Sequence, residues 1–322
     1  MKRFEPTFSV GSARADTAHM AKPMTPNDMA KWVRMRMSVL RGRSDVRSSY
    51  RTSRATDRLY SCVPRPANPL VSQSTTRQCR RSRECRVSSL DPSLVEQLVI
   101  ANRILYDQKV LDGFGHVSAR HDKSAERFLL SRNMAPALVK RDDIMAFDLE
   151  GNALDQDDRR PYLERFIHAA IYRARQDVHA IVHSHSPSVI PFAVTRQPLR
   201  PVYHMSGFLG AGSAFFEIRE TAGDTDMLIR NMELGTALAN ALREHAIVLM
   251  RGHGSTVVGT SLEQVVYRAV YAETNARLQA QAHALGPVIY LNEVEAAKAA
   301  ATNDGQLARP WALWRASIGS ID

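Results

Sequence analysis

Cysteine is scarce in this chain and absent beyond residue 85. Cys62, Cys79 and Cys85 form no CxxC pair, and an odd number at these spacings predicts neither a disulfide framework nor a zinc knuckle. A cysteine-free stretch from residue 91 to 322 is typical of a reducing compartment and does not favour secretion. We therefore expect a cytoplasmic protein.

The chain also lacks any long apolar run. None approaches the roughly 18 residues that a membrane span requires. The first residues, MKRFEPTFSVGSARAD, lack the continuous apolar core of a signal peptide. We therefore expect no membrane association.

Acidic residues are scarce at the N-terminal end alone. Residues 1–90 carry 19 Lys+Arg and 6 Asp+Glu, a net charge of +13, whereas residues 91–322 carry 24 and 27, a net charge of −3. The overall charge of +10 therefore comes from the first segment and does not indicate a basic folded domain.

Residues 1–88 are rich in Arg, Ser, Thr and Pro and show no apolar periodicity. Such a segment cannot bury enough apolar surface to offset the entropy of ordering. We predict a disordered basic extension, or the product of an over-long start assignment, followed by one folded domain over residues 89–322. An organellar transit peptide and a non-specific nucleic-acid tail stay open as alternatives. We expect no specific nucleic-acid partner, because no aromatic interleaving or known module accompanies the charge.

Regular structure is predicted to begin with Asp91 as a helix N-cap and Pro92 at the first helical position. Beyond it, apolar residues at helical spacing predict helices over 162–175, 226–244 and 261–285. Short strands such as VSAR, FLLS, HAIVHSHS, FFEIRE and AIVLM lie between the helices. Because strands and helices mix without strict βαβ alternation, we predict an α/β sandwich around a mostly antiparallel sheet.

His183 and His185 form an HxH pair in the apolar segment AIVHSHS. On a strand, side chains two residues apart point to the same face, so both imidazoles would project from one surface. Two neutral imidazoles at that spacing can share one divalent ion. An HxH pair also arises by chance or as a structural pair, so this pattern alone leaves both interpretations open.

His253 lies between two glycines in RGHG, directly after the predicted strand AIVLM. Nothing local would shield a core histidine there, whereas flanking glycines let the backbone approach closely. A turn histidine without a role is the alternative. Taken with the HxH pair, the three histidines favour a metal site with an open position, which is typical of catalytic metals.

Glu164 opens the predicted helix over 162–175, with His168 four residues later on the same face. A carboxylate in the first turn of a helix is commonly a capping or dipole partner. The functional alternative is an acid/base group beside the metal.

The segments ERFIHAAIYRARQDVHAIVHSHSP and LMRGHGSTVVG together resemble the signature of the class II aldolase/adducin family. The resemblance covers roughly residues 91–315 and is specific, because the glutamate, the HxH pair and the later RGHG occur at the family's spacing. It implies a class II aldolase-like three-layer α/β/α sandwich. It also implies one divalent ion per subunit, Zn or Mn in first place, on His183, His185 and His253, with Glu164 as the catalytic carboxylate. Imidazoles accept Co or Fe as well.

The surroundings of this signature depart from the sugar-phosphate aldolases of the family. Those enzymes hold phosphate with a Gly-Asn pair, a Ser-Gly pair and two serines before the glutamate. The corresponding positions here are Gly115-His116, Ser131-Arg132 and Tyr162-Leu163. Guanidinium and imidazole groups suit a carboxylate. We therefore predict that His116, Ser131 and Arg132 bind an acidic substrate in place of a sugar phosphate.

This pattern, with GHVSAR, FLLSR, RPVYHMSGFLG and RPWALW, resembles the decarboxylase branch of the family. The resemblance implies a carbon–carbon lyase that decarboxylates a hydroxylated aromatic or heteroaromatic dicarboxylate, or a carboxy-muconic semialdehyde, in aromatic catabolism. The metal would stabilise the resulting enolate. One alternative is an aldolase acting on a non-phosphorylated hydroxy-keto or sugar-acid substrate. The other is a non-catalytic adducin-like interaction module.

His204 and Tyr290 complete the predicted site. His204 lies 19 residues after His185, near the position of a catalytic tyrosine in the aldolases, and is the candidate proton donor to the new carbanion. A satisfied loop histidine is an equal alternative. Tyr290, with Arg309 and Trp311, would close the pocket from the C-terminal segment or from a neighbouring subunit, unless these residues only pack. The resemblance implies a homotetramer or larger assembly.

Overall fold

One mixed β-sheet lies at the centre of residues 90–155 and 157–320, which the computed structural model describes. Within that part of the chain its seven strands are β1 (His116–Arg120), β2 (Arg127–Ser131), β3 (Ile144–Asp148), β4 (Ala180–Ser184), β5 (Ala214–Phe216), β6 (Ile247–Met250) and β7 (Gly254–Gly259). Their order is β3-β2-β1-β4-β7-β6-β5, and β5 pairs with β6 in parallel while the other neighbours are antiparallel. The predicted mostly antiparallel sheet is confirmed.

Helices cover both faces of this sheet. In the described residues they are α1 (Pro92–Asp107), α2 (Arg165–Ala174), α3 (Ile190–Thr195), α4 (Arg219–Ala222), α5 (Met232–Leu242), α6 (Leu262–Leu285), α7 (Glu293–Asp304) and α8 (Ala308–Ser317). Helix α1 begins as predicted: the Asp91 side chain accepts a hydrogen bond from Ser93 N at 3.0 Å, and Pro92 occupies the first turn. Helix α6 is capped by Ser261 at its start and ends at Leu285, in agreement with the predicted range of 261–285.

Alternate strand residues supply two apolar cores, one on each face of the sheet. On β4, Ala180 and Val182 join a core formed with α1 and α6, while Ile181 joins a second core formed with α2 and α5. Full burial of each large aliphatic side chain contributes about 1.5–3 kcal/mol. Because each face is covered by helices, the three-layer α/β/α arrangement is confirmed.

Several element bounds differ from those predicted. The helix expected over 162–175 begins at Arg165, which leaves Glu164 at its N-cap. The helix expected over 226–244 begins at Met232, because the Asn231 side chain caps it by accepting from Leu234 N at 2.9 Å. The strand FFEIRE ends at Phe216 and gives way to α4.

All described residues belong to one structural unit. The predicted basic extension over residues 1–88 lies outside the described residues. None of the helices in the described ranges is long and apolar enough to cross a membrane.

Candidate active site

Four side chains converge at one end of the central strands. The ligand atoms of Glu164, His183, His185 and His253 all lie within 4.8 Å of one another. His253 Nε2 is 3.1 Å from His185 Nε2 and 3.5 Å from Glu164 Oε2, and His183 Nε2 is 3.7 Å from the same oxygen. The fold thus brings together the three histidines and the carboxylate that the sequence singled out, at a spacing that suits one divalent ion.

His183 shows that these residues fit a metal. It is fully buried on β4, and its Nδ1 is 3.3 Å from Thr256 Oγ1 on β7. The Thr256 hydroxyl donates to Met250 Sδ, so it accepts from the Nδ1–H of His183. The Nε2 lone pair of His183 is then buried with no hydrogen-bond partner among the described residues. An unpaired buried nitrogen is costly, and a divalent ion would satisfy it.

His185 lies one residue beyond the end of β4, so strand periodicity does not by itself place it beside His183. The two rings are nevertheless 5.2 Å apart, and the rings of His185 and His253 are 5.0 Å apart. Burial lowers the pKa of His185 below its ordinary value. A neutral imidazole is the form that binds a metal.

His253 is presented by the tight turn between β6 and β7. Gly252 adopts a positive φ of 66°, and a Cβ on Gly254 would lie 2.0 Å from the carbonyl oxygen of Ser184. The flanking glycines therefore permit the close backbone approach that the sequence indicated. Arg251, in the same turn, binds Glu217.

Glu164 does not cap α2, although it occupies the N-cap position. Its Oε1 instead accepts a hydrogen bond from the buried amide of Ile229 at 3.0 Å. Burial alone would raise the pKa of this carboxyl, but its contacts with His253, His183 and the Ile229 amide outweigh burial and hold the pKa at about 2. Glu164 is therefore an anion at neutral pH, placed against the histidines.

His116 borders the cluster from β1, where it is the cross-strand partner of His183. The two rings are 5.0 Å apart, and His116 Nδ1 is 2.6 Å from His168 Nε2. Burial lowers the pKa of His116 well below its usual range and lowers that of His168 to about 3. Both imidazoles are neutral at physiological pH.

Ser131 and Arg132, the next predicted substrate-binding residues, lie beyond His116 as seen from the cluster. The buried Ser131 hydroxyl donates to Tyr162 Oη at 3.3 Å, and the Tyr162 ring is 4.7 Å from the His116 ring. Arg132 Nε donates to Asp143 at 2.6 Å, and its side chain is 42% exposed. Asp143 therefore orients this guanidinium while leaving part of it open to solvent.

His204 and Tyr290 are not brought to the cluster within one chain. In residues 90–155 and 157–320, no hydrogen bond, ion pair or ring contact joins either residue to the four clustered side chains. His204 is exposed at the start of a 3-10 helix, with its ring 6.1 Å from that of Tyr203. The Tyr290 hydroxyl contacts His283 and Gln279.

Some residues that support the site were not predicted. Thr256 orients His183, while Ser118 and Tyr172 extend the contacts of His168. Two patterns could have indicated them. Polar residues alternate along the buried strand HVSAR, and Glu164, His168 and Tyr172 follow one another at four-residue spacing on one face of α2.

Comparison with known proteins agrees with this geometry. Residues 96–280 match the family described as class II aldolase and adducin N-terminal domain. A decarboxylase named tropJ from Talaromyces stipitatus is 35% identical over 244 residues, which cover 68% of this chain and 92% of the relative. A 3,4-dihydroxyphthalate decarboxylase from Arthrobacter keyseri is 30% identical over 201 residues, covering 59% and 79%.

Among solved structures, an L-fuculose 1-phosphate aldolase from Glaciozyma antarctica superposes with a TM-score of 0.58 at 25% identity, over 70% of this chain and 88% of that one. Class II aldolases use a divalent metal, and the cluster described above has the donor set to hold one. The chain therefore belongs to the class II aldolase and adducin family, in its decarboxylase branch, and is a carbon–carbon lyase.

Proposed function

We propose that this protein is a metal-dependent decarboxylase of a hydroxylated aromatic or heteroaromatic dicarboxylate, or of a carboxy-muconic semialdehyde. The observation that carries the proposal is the cluster of His183, His185, His253 and Glu164, with the buried Nε2 of His183 left without a hydrogen-bond partner. The three histidines would hold one Zn or Mn ion. That ion would supply Lewis-acid stabilisation of the charge that develops on a substrate oxygen when the carbon–carbon bond breaks.

The groups beside the cluster support an acidic substrate. His116 adjoins His183, and Arg132 offers a partly exposed guanidinium. Both side chains suit a substrate carboxylate better than do the small residues with which the aldolases hold a sugar phosphate. Both relatives are named as decarboxylases, and the one named for 3,4-dihydroxyphthalate supports an aromatic dicarboxylate as the substrate.

The proposed proton transfers begin at Glu164, whose carboxylate is ionised and held by the Ile229 amide. It accepts the proton of a substrate hydroxyl. The bond between the substrate carbon and its carboxylate breaks, CO₂ leaves, and the electron pair remains on the substrate. His204, presented by a second copy of the chain, donates the proton that this carbon takes up. We accordingly propose a homo-oligomer, a tetramer or larger, acting in the cytoplasm.

The test is CO₂ release by the purified full-length protein. The panel contains 3,4-dihydroxyphthalate, hydroxylated pyridine dicarboxylates and carboxy-muconic semialdehydes. We expect release from at least one of them, loss of that activity with a chelator, and recovery with Zn²⁺ or Mn²⁺. Activity that survives complete metal removal would contradict the metal role. Aldehyde release from a hydroxy-keto acid, without CO₂ from any acid in the panel, would replace the decarboxylase with an aldolase.

A further inference from the structure

A buried network of hydrogen bonds extends from His116 away from the metal cluster. It links Tyr172 Oη to Ser118 Oγ at 2.8 Å, Ser118 Oγ to His168 Nδ1 at 2.6 Å, and His168 Nε2 to His116 Nδ1 at 2.6 Å. All four side chains are at most 3% exposed. Each link contains one shared proton, and the direction of each link follows from which donors would otherwise be buried without an acceptor.

The hydroxyl of Tyr172 determines the direction. Within the described ranges its hydrogen-bond partner is Ser118 Oγ alone. If Tyr172 only accepted from Ser118, its own O–H would be a fully buried donor with no acceptor, which is strongly unfavourable. The other end of the network differs, because Nε2 of His116 is not one of the fully buried nitrogen and oxygen atoms of the described residues that lack a partner. An N–H at that end can therefore reach water or a ligand. Tyr172 therefore donates to Ser118. The buried Ser118 hydroxyl then has, among the described residues, only Nδ1 of His168 as an acceptor, so it donates there. The Nε2–H of His168 then donates to Nδ1 of His116.

We propose that this network holds His116 in the tautomer protonated on Nε2, as a neutral hydrogen-bond donor to an anionic oxygen of the substrate. Nε2 of His116 makes no hydrogen bond to any described residue, and the ring packs against those of His183 and Tyr162. The role of His116 as a donor to the substrate rests on the proposed decarboxylase function. Its tautomer rests only on the hydrogen-bond network.

The two neighbouring histidines are thereby given opposite tautomers. His183 donates from Nδ1 to Thr256, which leaves its Nε2 lone pair for a metal. His116 accepts at Nδ1 from His168, which leaves an N–H and no lone pair on Nε2. Paired positions of adjacent strands thus carry one metal ligand and one substrate donor. His168, Ser118 and Tyr172 are positioning residues, because their hydrogen bonds fix the tautomer of His116.

The direct test is ¹⁵N NMR of the full-length protein labelled on its histidine rings, at pH 7.5 and without substrate. Ring ¹⁵N shifts separate protonated from unprotonated nitrogens, and His116→Gln and His168→Gln assign the signals. We expect Nε2 protonated and Nδ1 unprotonated in both histidines. A proton on Nδ1 of His116, alone or together with one on Nε2, would overturn the proposal.

A second test removes the middle of the network with Ser118→Ala. Without the serine hydroxyl, neither direction is favoured, so the His116 signal should show both tautomers. The kcat/KM for the decarboxylated acid should fall about ten- to hundred-fold, the range for a hydrogen bond to a charged group, and mainly through KM. The matched control is Ser213→Ala, which removes a buried serine hydroxyl that accepts from Leu199 N. It should leave both readouts unchanged.

The two tests distinguish this inference from the proposed function. Absence of CO₂ release from every acid would overturn the decarboxylase and leave the tautomer result intact. A Ser118→Ala protein with an unchanged His116 tautomer and unchanged KM would overturn the positioning role, even in an active decarboxylase.

Discussion

Thr256 controls how His183 can bind an ion. Its hydroxyl accepts from Nδ1 of His183 and so directs the lone pair of Nε2 toward the cluster. Replacement of such a supporting partner commonly lowers metal affinity by about ten- to hundred-fold. We expect Thr256→Val, which keeps the shape of the side chain, to weaken Zn²⁺ binding by that factor in a competition titration against a chelator.

The matched control is Thr274→Val, a partly buried threonine whose hydroxyl donates to Val270 O on α6. The Thr274→Val protein should bind Zn²⁺ with the same affinity as the parent protein. Equal affinities for Thr256→Val and Thr274→Val would remove the orienting role of Thr256.

At the scale of single residues, the sequence identified the histidines and the glutamate that form a recognisable motif. His183, His185, His253 and Glu164 stand out through motif and spacing. Thr256 does not, because its partner is 73 residues away and depends on β7 lying beside β4. A sequence does not state which strands are neighbours, so a residue that acts across a strand pair is found only in the fold.

At the scale of elements, Gly254 allows β7 to begin against the end of β4. A Cβ at this position would lie 2.0 Å from the carbonyl oxygen of Ser184 and 3.1 Å from the Cα of His185. We expect Gly254→Ala to push these backbones apart, to lower the free energy of unfolding by at least about 1–3 kcal/mol as an overpacked core does, and to weaken metal binding. Denaturant unfolding and metal titration measure the two effects.

Gly113→Ala is the control, because a Cβ there meets nothing within 4 Å and the φ is not positive. Its stability and metal affinity should match those of the parent protein. If Gly254→Ala behaved like Gly113→Ala, the close approach would not be a requirement of the site.

The turn that carries His253 is held by Glu217, which is buried and accepts from both Arg219 and Arg251. These two guanidinium groups lower the pKa of Glu217 from its ordinary 4.5 to about 2. A depressed carboxyl pKa adds stability that is fully present above about pH 4.5 and is lost as pH falls toward 2.

We therefore expect Glu217→Gln to reduce the free energy of unfolding at pH 6 by about 2 kcal/mol, an amount discounted for the solvent exposure of Arg219. The difference from the parent protein should shrink as pH falls from 4.5 toward 3. Urea unfolding at pH 6 and pH 3 measures this, with Glu220→Gln, in the exposed pair with Arg196, as the control. A difference that is constant with pH would contradict the ionic role.

Element bounds were predictable where local signals are strong and not elsewhere. Asp91 with Pro92 marked the start of α1 correctly, and the predicted range of 261–285 matches α6. Strand β7 was not predicted, because GSTVVG directly follows the glycine-rich turn and has no alternation of polar and apolar residues. Helices α7 and α8 were also missed, since each buries only one residue among those described and so lacks an apolar stripe.

At the scale of the whole molecule, residues 90–320 contain every group named in the site. We therefore propose that the catalytic domain spans residues 89–322 and expect a protein that lacks residues 1–88 to fold, bind one metal ion per subunit and retain its activity. Circular dichroism, metal analysis and CO₂ release test this against the full chain. An insoluble or metal-free product would show that the first segment contributes to the domain.

Two residues of the predicted site, His204 and Tyr290, do not reach the cluster within a single chain. Among the described residues, His204 and Tyr290 make no contact with the cluster, and the roles proposed for them rest on how copies of the chain would associate. Surface complementarity between copies leaves no periodic pattern in a sequence, whereas a metal motif does. The clustering of the three histidines with Glu164 was therefore predictable from the sequence, whereas the position of His204 relative to them was not.

The pairing of His116 with His183 across β1 and β4 has a consequence for how such an enzyme can change. The distance between the two positions is set by main-chain hydrogen bonds, so the side chain at 116 can be exchanged while the strand that carries His183 stays in place. Under the proposed function, a substitution at position 116 would change the substrate contact without displacing His183 from the proposed metal site. For the same reason, position 116 is where a library aimed at altered substrate preference should begin.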